Sequence, residues 1–180
     1  MLGGARSGKS AYAEKLVGAD PGGRPVRYVA TARRDAADHD FEARIDRHRA
    51  RRPPHWTVVE SADADLPAIL AEPGRPTLVD DIGTWLTAEL DAADAWDGPR
   101  GTVANRTNAL VTSIAKYDGR LVLVSPEVGL GVVPATRSGR LFRDEIGTLN
   151  QHIAAVCDEV VFVLAGIPVQ IKPSDRKAAL

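Results

Sequence analysis

Apolar runs of strand length alternate along the chain with segments whose apolar positions recur at helical spacing, the arrangement of a parallel sheet with helices packed on its faces. Runs at 27–31, 57–60, 77–80, 120–125, 159–165 and 169–172 predict strands, and most are nearly all apolar, as strands buried on both faces are. Helices are predicted at about 9–17, 38–51, 64–70, 84–90, 103–117 and 137–156. In the last of these Phe142, Ile146, Leu149, Ile153 and Val156 follow one another at three- and four-residue steps, a continuous stripe for facing a core. Residues 91–101, rich in Asp, Ala, Gly and Pro, read as a surface connection, and 173–180 as a mobile tail. The pattern therefore predicts one domain over 1–172 and a C-terminal tail over 173–180, with no internal repeat.

Composition narrows the functional classes. The 180 residues are 44% hydrophobic and 26% charged, with 23 Lys+Arg against 24 Asp+Glu and a formal charge of -1. Disorder of the whole chain is excluded, and there is no global attraction to nucleic acid or anionic membrane, so anion binding has to come from local clusters. The single Cys157 makes no internal disulfide. No stretch reaches the 18 or so apolar residues of a membrane span, and Met1-Leu2-Gly3-Gly4 has no basic and apolar leader pattern. The expectation is a cytoplasmic protein with neither a nucleic-acid partner nor membrane insertion.

The strongest local signal is Gly3-Gly4-Ala5-Arg6-Ser7-Gly8-Lys9-Ser10, which meets every fixed position of the phosphate-loop pattern G-x-x-x-x-G-K-[ST]. Its glycines let backbone N–H groups converge on phosphate oxygens, and the helix that follows presents its positive end to the same anion. Lys9 is placed to reach the β- and γ-phosphates, and the Ser10 hydroxyl to ligate Mg²⁺. Such a loop normally follows a buried central strand, whereas only Met1 and Leu2 precede Gly3. The first strand is therefore expected to be nearly missing: either the natural start lies upstream or the sheet lacks part of its centre.

Beside the Ser10 hydroxyl, an acid is required at a strand end near the Mg²⁺. Leu78-Val79-Asp80-Asp81 supplies two, and Asp80 is favoured because strand alternation continues through it; turn or helix-capping aspartates are the structural alternative. Asp80-Asp81-Ile82-Gly83 also fits the D-x-x-G of GTP-dependent switches, but no N-K-x-D guanine motif accompanies it.

Between residues 44 and 52 five arginines face one aspartate, a local charge of +4 in an otherwise balanced chain. Such a run is usually a solvated helix face. Here Phe41, Ile45 and His48 fall on one helical face with Arg44 and Arg51 or Arg52 beside them. Neighbouring cations disfavour the imidazolium, which leaves a neutral nucleophile among donors for phosphate oxygens. A structural histidine at a helix edge remains the alternative. His39, His55 and His152 have no comparable setting.

Taken together in order, these residues resemble the bifunctional adenosylcobinamide kinase/adenosylcobinamide-phosphate guanylyltransferases of cobalamin biosynthesis. The resemblance runs from Gly3 to Lys172. It rests on the phosphate loop, Tyr28-Val-Ala-Thr31, Arg44-Ile45 with His48, Arg52-Pro53, Trp56, Asp80 with Trp85-Leu86-Thr87, the run Glu127 to Pro134, Arg137, Phe142-Arg-Asp144, Gly147, Leu149-Asn150-Gln151, Asp158-Glu159-Val160 and Gly166-Ile-Pro. Where the family usually has Asn, Cys, Thr and Asn, this chain has Pro126, Asp81, Gly83 and Ala88.

The resemblance implies an α/β fold like that of P-loop NTPases, with a mostly parallel central sheet, helices on both faces and assembly as a homotrimer. It implies phosphorylation of adenosylcobinamide by ATP or GTP, then transfer of GMP from GTP to adenosylcobinamide-phosphate through a guanylylated histidine. It puts His48 in that role. The nucleotide-binding set then comprises residues 3–10 (Gly3, Gly4, Ala5, Arg6, Ser7, Gly8, Lys9 and Ser10) with Thr31, Arg44, Arg51, Arg52, Glu60 and Asp80; Ser10 and Asp80 are the Mg²⁺ ligands and Lys9 and His48 the catalytic residues. Two rival readings are a small-metabolite kinase without guanylyl transfer and a GTP-binding regulatory module.

Overall fold

The computed structural model describes residues 1–19, 23–32, 39, 52–60, 65–72 and 74–174. Among these, seven strands form one sheet: β1 (Leu2–Gly3), β2 (Arg27–Ala30), β3 (Thr57–Glu60), β4 (Thr77–Asp80), β5 (Leu121–Pro126), β6 (Val160–Leu164) and β7 (Ile167–Lys172). Their spatial order is β3-β2-β4-β5-β1-β6-β7, and every pairing is parallel except that of β7 with β6. Five helices connect them: α1 (Lys9–Gly18), α2 (Leu66–Ala71), α3 (Ile82–Ala92), α4 (Ala104–Ala115) and α5 (Arg137–Val156).

Register and side-chain alternation divide the core into two layers. Val29, Val79 and Leu123 are aligned across β2, β4 and β5 and meet the apolar faces of α2, α3, α4 and α5. Tyr28, Leu78 and Val122, one residue earlier, point the other way, against Ala13 and Val17 of α1 and against Trp56. The predicted stripe of α5 is in the first layer, with Ile146, Leu149 and Ile153 buried and Phe142 packed against them, while Val156 is exposed at the helix end.

Several predicted boundaries shift for local reasons. α3 starts at Ile82 rather than 84, because the Asp81 carboxylate accepts from the Thr84 N–H at 2.8 Å and caps the first turn. Asp65 caps α2 in the same way, which moves that helix to Leu66–Ala71. The run at 159–165 ends at Leu164, where Ala165 (φ 51°) and Gly166 (φ 81°) turn the chain so that β7 begins at Ile167 rather than 169. Residues 91–101 are more than a surface connection. α3 continues to Ala92, Ala95 is fully buried in the core, and Arg137 holds the backbone of Asp97 and Gly98 at 2.5 and 3.1 Å.

The first strand is two residues long yet central: Leu2 is paired with Ser125 of β5 on one side and Phe162 of β6 on the other. The predicted helix at 38–51 lies outside the described residues, apart from an exposed, helical His39.

Candidate active site

The C-terminal ends of β1 to β5 all lie along one edge of the sheet, where ligands of open α/β sheets bind. The phosphate loop leaves β1 there. Gly8 takes the left-handed conformation (φ 92°) and starts α1, and its backbone faces Gly166, whose Cα would be 3.4 Å from a Cβ on Gly8. A Cβ on Gly3 would lie 2.6 Å from Ser7 Oγ and 2.7 Å from the Val163 carbonyl, so the turn closes only around glycine. The Gly166 N–H donates to the Ser7 carbonyl at 2.9 Å, and the Glu127 N–H to the Gly3 carbonyl at 3.1 Å. The loop is thus held from both neighbouring strands.

Within this loop Lys9 is buried, with Nζ donating to the Gly4 carbonyl at 3.2 Å. Ser7 Oγ is buried and has no hydrogen-bond partner among the described residues, a donor directed into a turn built for anions. Gly4 is half-buried, while Ala5 and Arg6 are exposed at the loop's tip, Arg6 with φ 56°.

Asp80 sits at the end of β4 and connects the loop to the rest of the edge. Ser10 Oγ donates to Asp80 Oδ1 at 3.2 Å, and the Tyr28 hydroxyl to Asp80 Oδ2 at 2.7 Å. A hydroxyl and a carboxylate this close, next to a phosphate cradle, suit Mg²⁺, which takes few protein ligands and completes its shell with phosphate oxygens and water. Burial and the Asp80 charge push the Tyr28 phenol well above its ordinary value, so it remains a donor. The Arg52 guanidinium lies over the Tyr28 ring, 3.6 Å from its centroid.

The neighbouring acid has a different task. Asp81 caps α3, and the Thr31 hydroxyl donates to its carbonyl at 2.6 Å while meeting the Thr84 hydroxyl at 2.5 Å. Desolvation raises the Asp81 carboxyl above its ordinary value, opposed by the Thr84 N–H and reinforced by Asp80. Of the two alternatives that their sequence left open, Asp81 takes the helix cap, while Asp80 faces Ser10 beside the phosphate loop.

Lys9, Ser10 and Asp80 are brought together, and Thr31 and Arg52 lie within the same constellation. Glu60 is exposed at the end of β3, opposite Ala30 and on the same sheet edge. His48, Arg44 and Arg51 lie outside the described residues. Tyr28 is a site residue that sequence reasoning missed. It stood only as part of a family mark, and its reach to Asp80 depends on the register of β2 against β4, in which Ala30 is aligned with Asp80.

Known proteins match this chain over nearly its whole length. A bifunctional adenosylcobalamin biosynthesis protein of Pseudomonas aeruginosa is 45% identical over 177 residues, covering 96% of this chain and 95% of that one. Proteins of the same description from Salmonella typhimurium and Escherichia coli are 38% and 37% identical over 183 and 182 residues, each covering 96% of this chain and 98% of its own. The family described as cobinamide kinase / cobinamide phosphate guanyltransferase matches residues 1–171, and the chain belongs to it.

Proposed function

We propose that this chain performs the family's two reactions in sequence. The first moves a phosphoryl group from ATP or GTP to the aminopropanol hydroxyl of adenosylcobinamide. The second moves GMP from GTP to adenosylcobinamide-phosphate, giving adenosylcobinamide-GDP and pyrophosphate. The observation that carries this reading is the Ser10–Asp80 pair at 3.2 Å beside a phosphate loop whose lysine is already buried in place.

In the first reaction the loop N–H groups and Lys9 bind and orient the phosphates, since positioning and charge stabilisation supply most of the catalysis in phosphoryl transfer. Ser10 and Asp80 would hold Mg²⁺, which when bound draws charge from the phosphate oxygens. Tyr28 orients Asp80 through its 2.7 Å hydrogen bond.

In the second reaction an imidazole nitrogen of His48 attacks the α-phosphorus of GTP, and the bond to pyrophosphate breaks. An oxygen of adenosylcobinamide-phosphate then attacks the same phosphorus and releases the histidine. Arg44, Arg51, Arg52, Thr31 and Glu60 contribute nucleotide contacts. Residues 1–172 act as a single domain with 173–180 as a tail, and the working form is a cytoplasmic homotrimer. No helix among the described residues is long and apolar enough to cross a membrane.

The test incubates the protein with α-labelled GTP and Mg²⁺ and sequences the labelled peptide. A GMP adduct on His48 that is acid-labile and base-stable, as a phosphoramidate is, is the expected result. Phosphorylation of cobinamide without any adduct would leave the small-metabolite kinase instead.

A further inference from the structure

Phosphorylation of an alcohol needs more than a grip on the nucleotide. The acceptor oxygen has to stand in line with the γ-phosphorus, and its proton has to leave as the new bond forms. The phosphate loop, Lys9 and the Ser10–Asp80 pair attend to the phosphates and leave that second task unassigned. A carboxylate on the acceptor's side is the usual group for it. Asp80 already accepts from Ser10 and Tyr28, and Asp81 is committed to the first turn of α3. Glu60 ends β3, which three strands separate from β1.

Glu127 borders the phosphate loop directly. β5 lies between β4 and β1, Pro126 is in register with Gly3, and the ladder continues one residue further as the Glu127 N–H donates to the Gly3 carbonyl at 3.1 Å. Asp80 is in register with Val124, so Glu127 stands three residues, about 10 Å, further out along the strand direction. That is the solvent side of the Ser10–Asp80 pair, from which an acceptor reaches the γ-phosphate. The carboxylate is held in place by its own turn. Oε1 accepts from the Gly129 N–H at 2.6 Å, a Cβ on Gly129 would lie 2.8 Å from that oxygen, and Arg143 of α5 donates to the Gly129 carbonyl at 2.5 Å. Oε2 has no hydrogen-bond partner among the described residues, and the residue is half-buried.

We infer that Glu127 is the catalytic base of the phosphorylation step, with Oε2 taking the proton of the acceptor hydroxyl. The hydroxyl oxygen attacks the γ-phosphorus, the bond from that phosphorus to the β,γ-bridging oxygen breaks, and the nucleoside diphosphate leaves. Oε2 then passes the proton to water. Oε1 stays on the Gly129 N–H throughout, so the carboxylate keeps one orientation from turnover to turnover. The assignment rests on the proposed phosphorylation of adenosylcobinamide and adds to it the residue that handles the acceptor. It also gives a task to the start of the run from Glu127 to Pro134, which the nucleotide-binding set leaves without one.

The experiment measures phosphorylation of adenosylcobinamide by the full chain and by its Glu127→Gln and Glu127→Ala variants, with ATP and Mg²⁺. Glu127→Gln keeps an oxygen for the Gly129 N–H but takes no proton. Its kcat is expected to fall by roughly 10² or more, while Tm, the Mg²⁺ requirement and the Kd of a non-hydrolysable ATP analogue stay as in the parent. Glu127→Ala leaves room for a small carboxylate, and added formate is expected to raise its kcat about tenfold or more while doing nothing for Glu127→Gln. A Glu127→Gln protein with more than about a third of the parent's kcat overturns the assignment alone. So does a loss matched by weaker ATP binding or a raised Mg²⁺ requirement, or a Glu127→Ala protein indifferent to formate. A parent that binds ATP but phosphorylates no adenosylcobinamide overturns the proposed function and this assignment with it, so the two failures are told apart.

Discussion

Gly83 and Pro126 fill one another's space: a Cβ on Gly83 would lie 2.6 Å from Cγ and 3.0 Å from Cδ of the Pro126 ring. Both are among the positions where the resemblance drawn from the sequence implies a departure, from Thr and from Asn. The structure brings the two positions into one contact, in which a ring at the end of β5 occupies the space that a side chain in the first turn of α3 would need. Asn150 then fixes β5 from beneath, donating to the Pro126 carbonyl at 3.0 Å and accepting from Ser125 Oγ at 2.6 Å.

The pair predicts a strongly non-additive double-mutant cycle. Gly83→Ala alone gains up to ~1 kcal/mol of helix propensity but forces the rigid ring to move, with a net cost of roughly 1–3 kcal/mol. With Pro126→Ala already present the same change is neutral or stabilising. Urea melts of the four proteins measure the coupling, and additivity within 0.5 kcal/mol or so would contradict the contact.

Tyr28→Phe removes one hydrogen bond to a carboxylate and leaves the packing of the ring intact. A donor to a charged group contributes about 1.5–3 kcal/mol, and without it Asp80 loses the hydrogen bond that reaches Oδ2 from β2. Kinase kcat is expected to fall about tenfold, with an increased Mg²⁺ requirement. A loss of stability with an unchanged Mg²⁺ dependence would make Tyr28 a core residue only.

Asp81→Asn is expected to alter the pH dependence of stability. Because the folded-state carboxyl titrates above its unfolded value, the native protein favours the protonated form, and ionisation of Asp81 lowers stability as pH rises through the interval between those values. An amide keeps an oxygen for the Thr84 N–H and cannot ionise. Tm of the variant therefore exceeds that of the parent by more at pH 7 than at pH 4.5, and a difference that narrows with rising pH would reverse the sign of this argument.

Lys9→Ala and His48→Ala are expected to separate. Loss of the Lys9 ammonium removes charge stabilisation at the transferring phosphate and lowers kinase kcat by roughly 10²–10³, with weaker guanylyl transfer as well. His48→Ala is expected to abolish GMP transfer and leave phosphorylation nearly intact, since attack of the aminopropanol hydroxyl on the γ-phosphorus of the nucleoside triphosphate needs no nitrogen nucleophile from the protein. Both activities assayed on both variants decide the matter: a His48→Ala protein still labelled by α-labelled GTP has its nucleophile elsewhere.

What the sequence made legible was whatever is local. The phosphate loop is contiguous, the strands are short apolar runs, and the preference for Asp80 over Asp81 follows from alternation within β4. That Asp81 is a helix cap, however, is revealed only by the start of α3. Tyr28 and the Gly83–Pro126 contact depend on how distant strands and helices come into register, which no spacing within the chain encodes. Composition alone makes residues 91–101 a surface segment, because an alanine among aspartates carries no sign that it is Ala95 that enters the core.

The turn at Ala165 and Gly166 lies between β6 and the outermost strand of the sheet, and one of its N–H groups holds the Ser7 carbonyl. The grip on a nucleotide is thereby fastened to the rim of the molecule. The rim is also apolar, with Leu164, Ile167, Val169 and Ile171 all exposed. Whatever presses against that hairpin bears on the phosphate loop through the Gly166–Ser7 hydrogen bond and the close approach of Gly166 to Gly8, so the tightness of the loop and the company kept by the sheet's edge are mechanically one property.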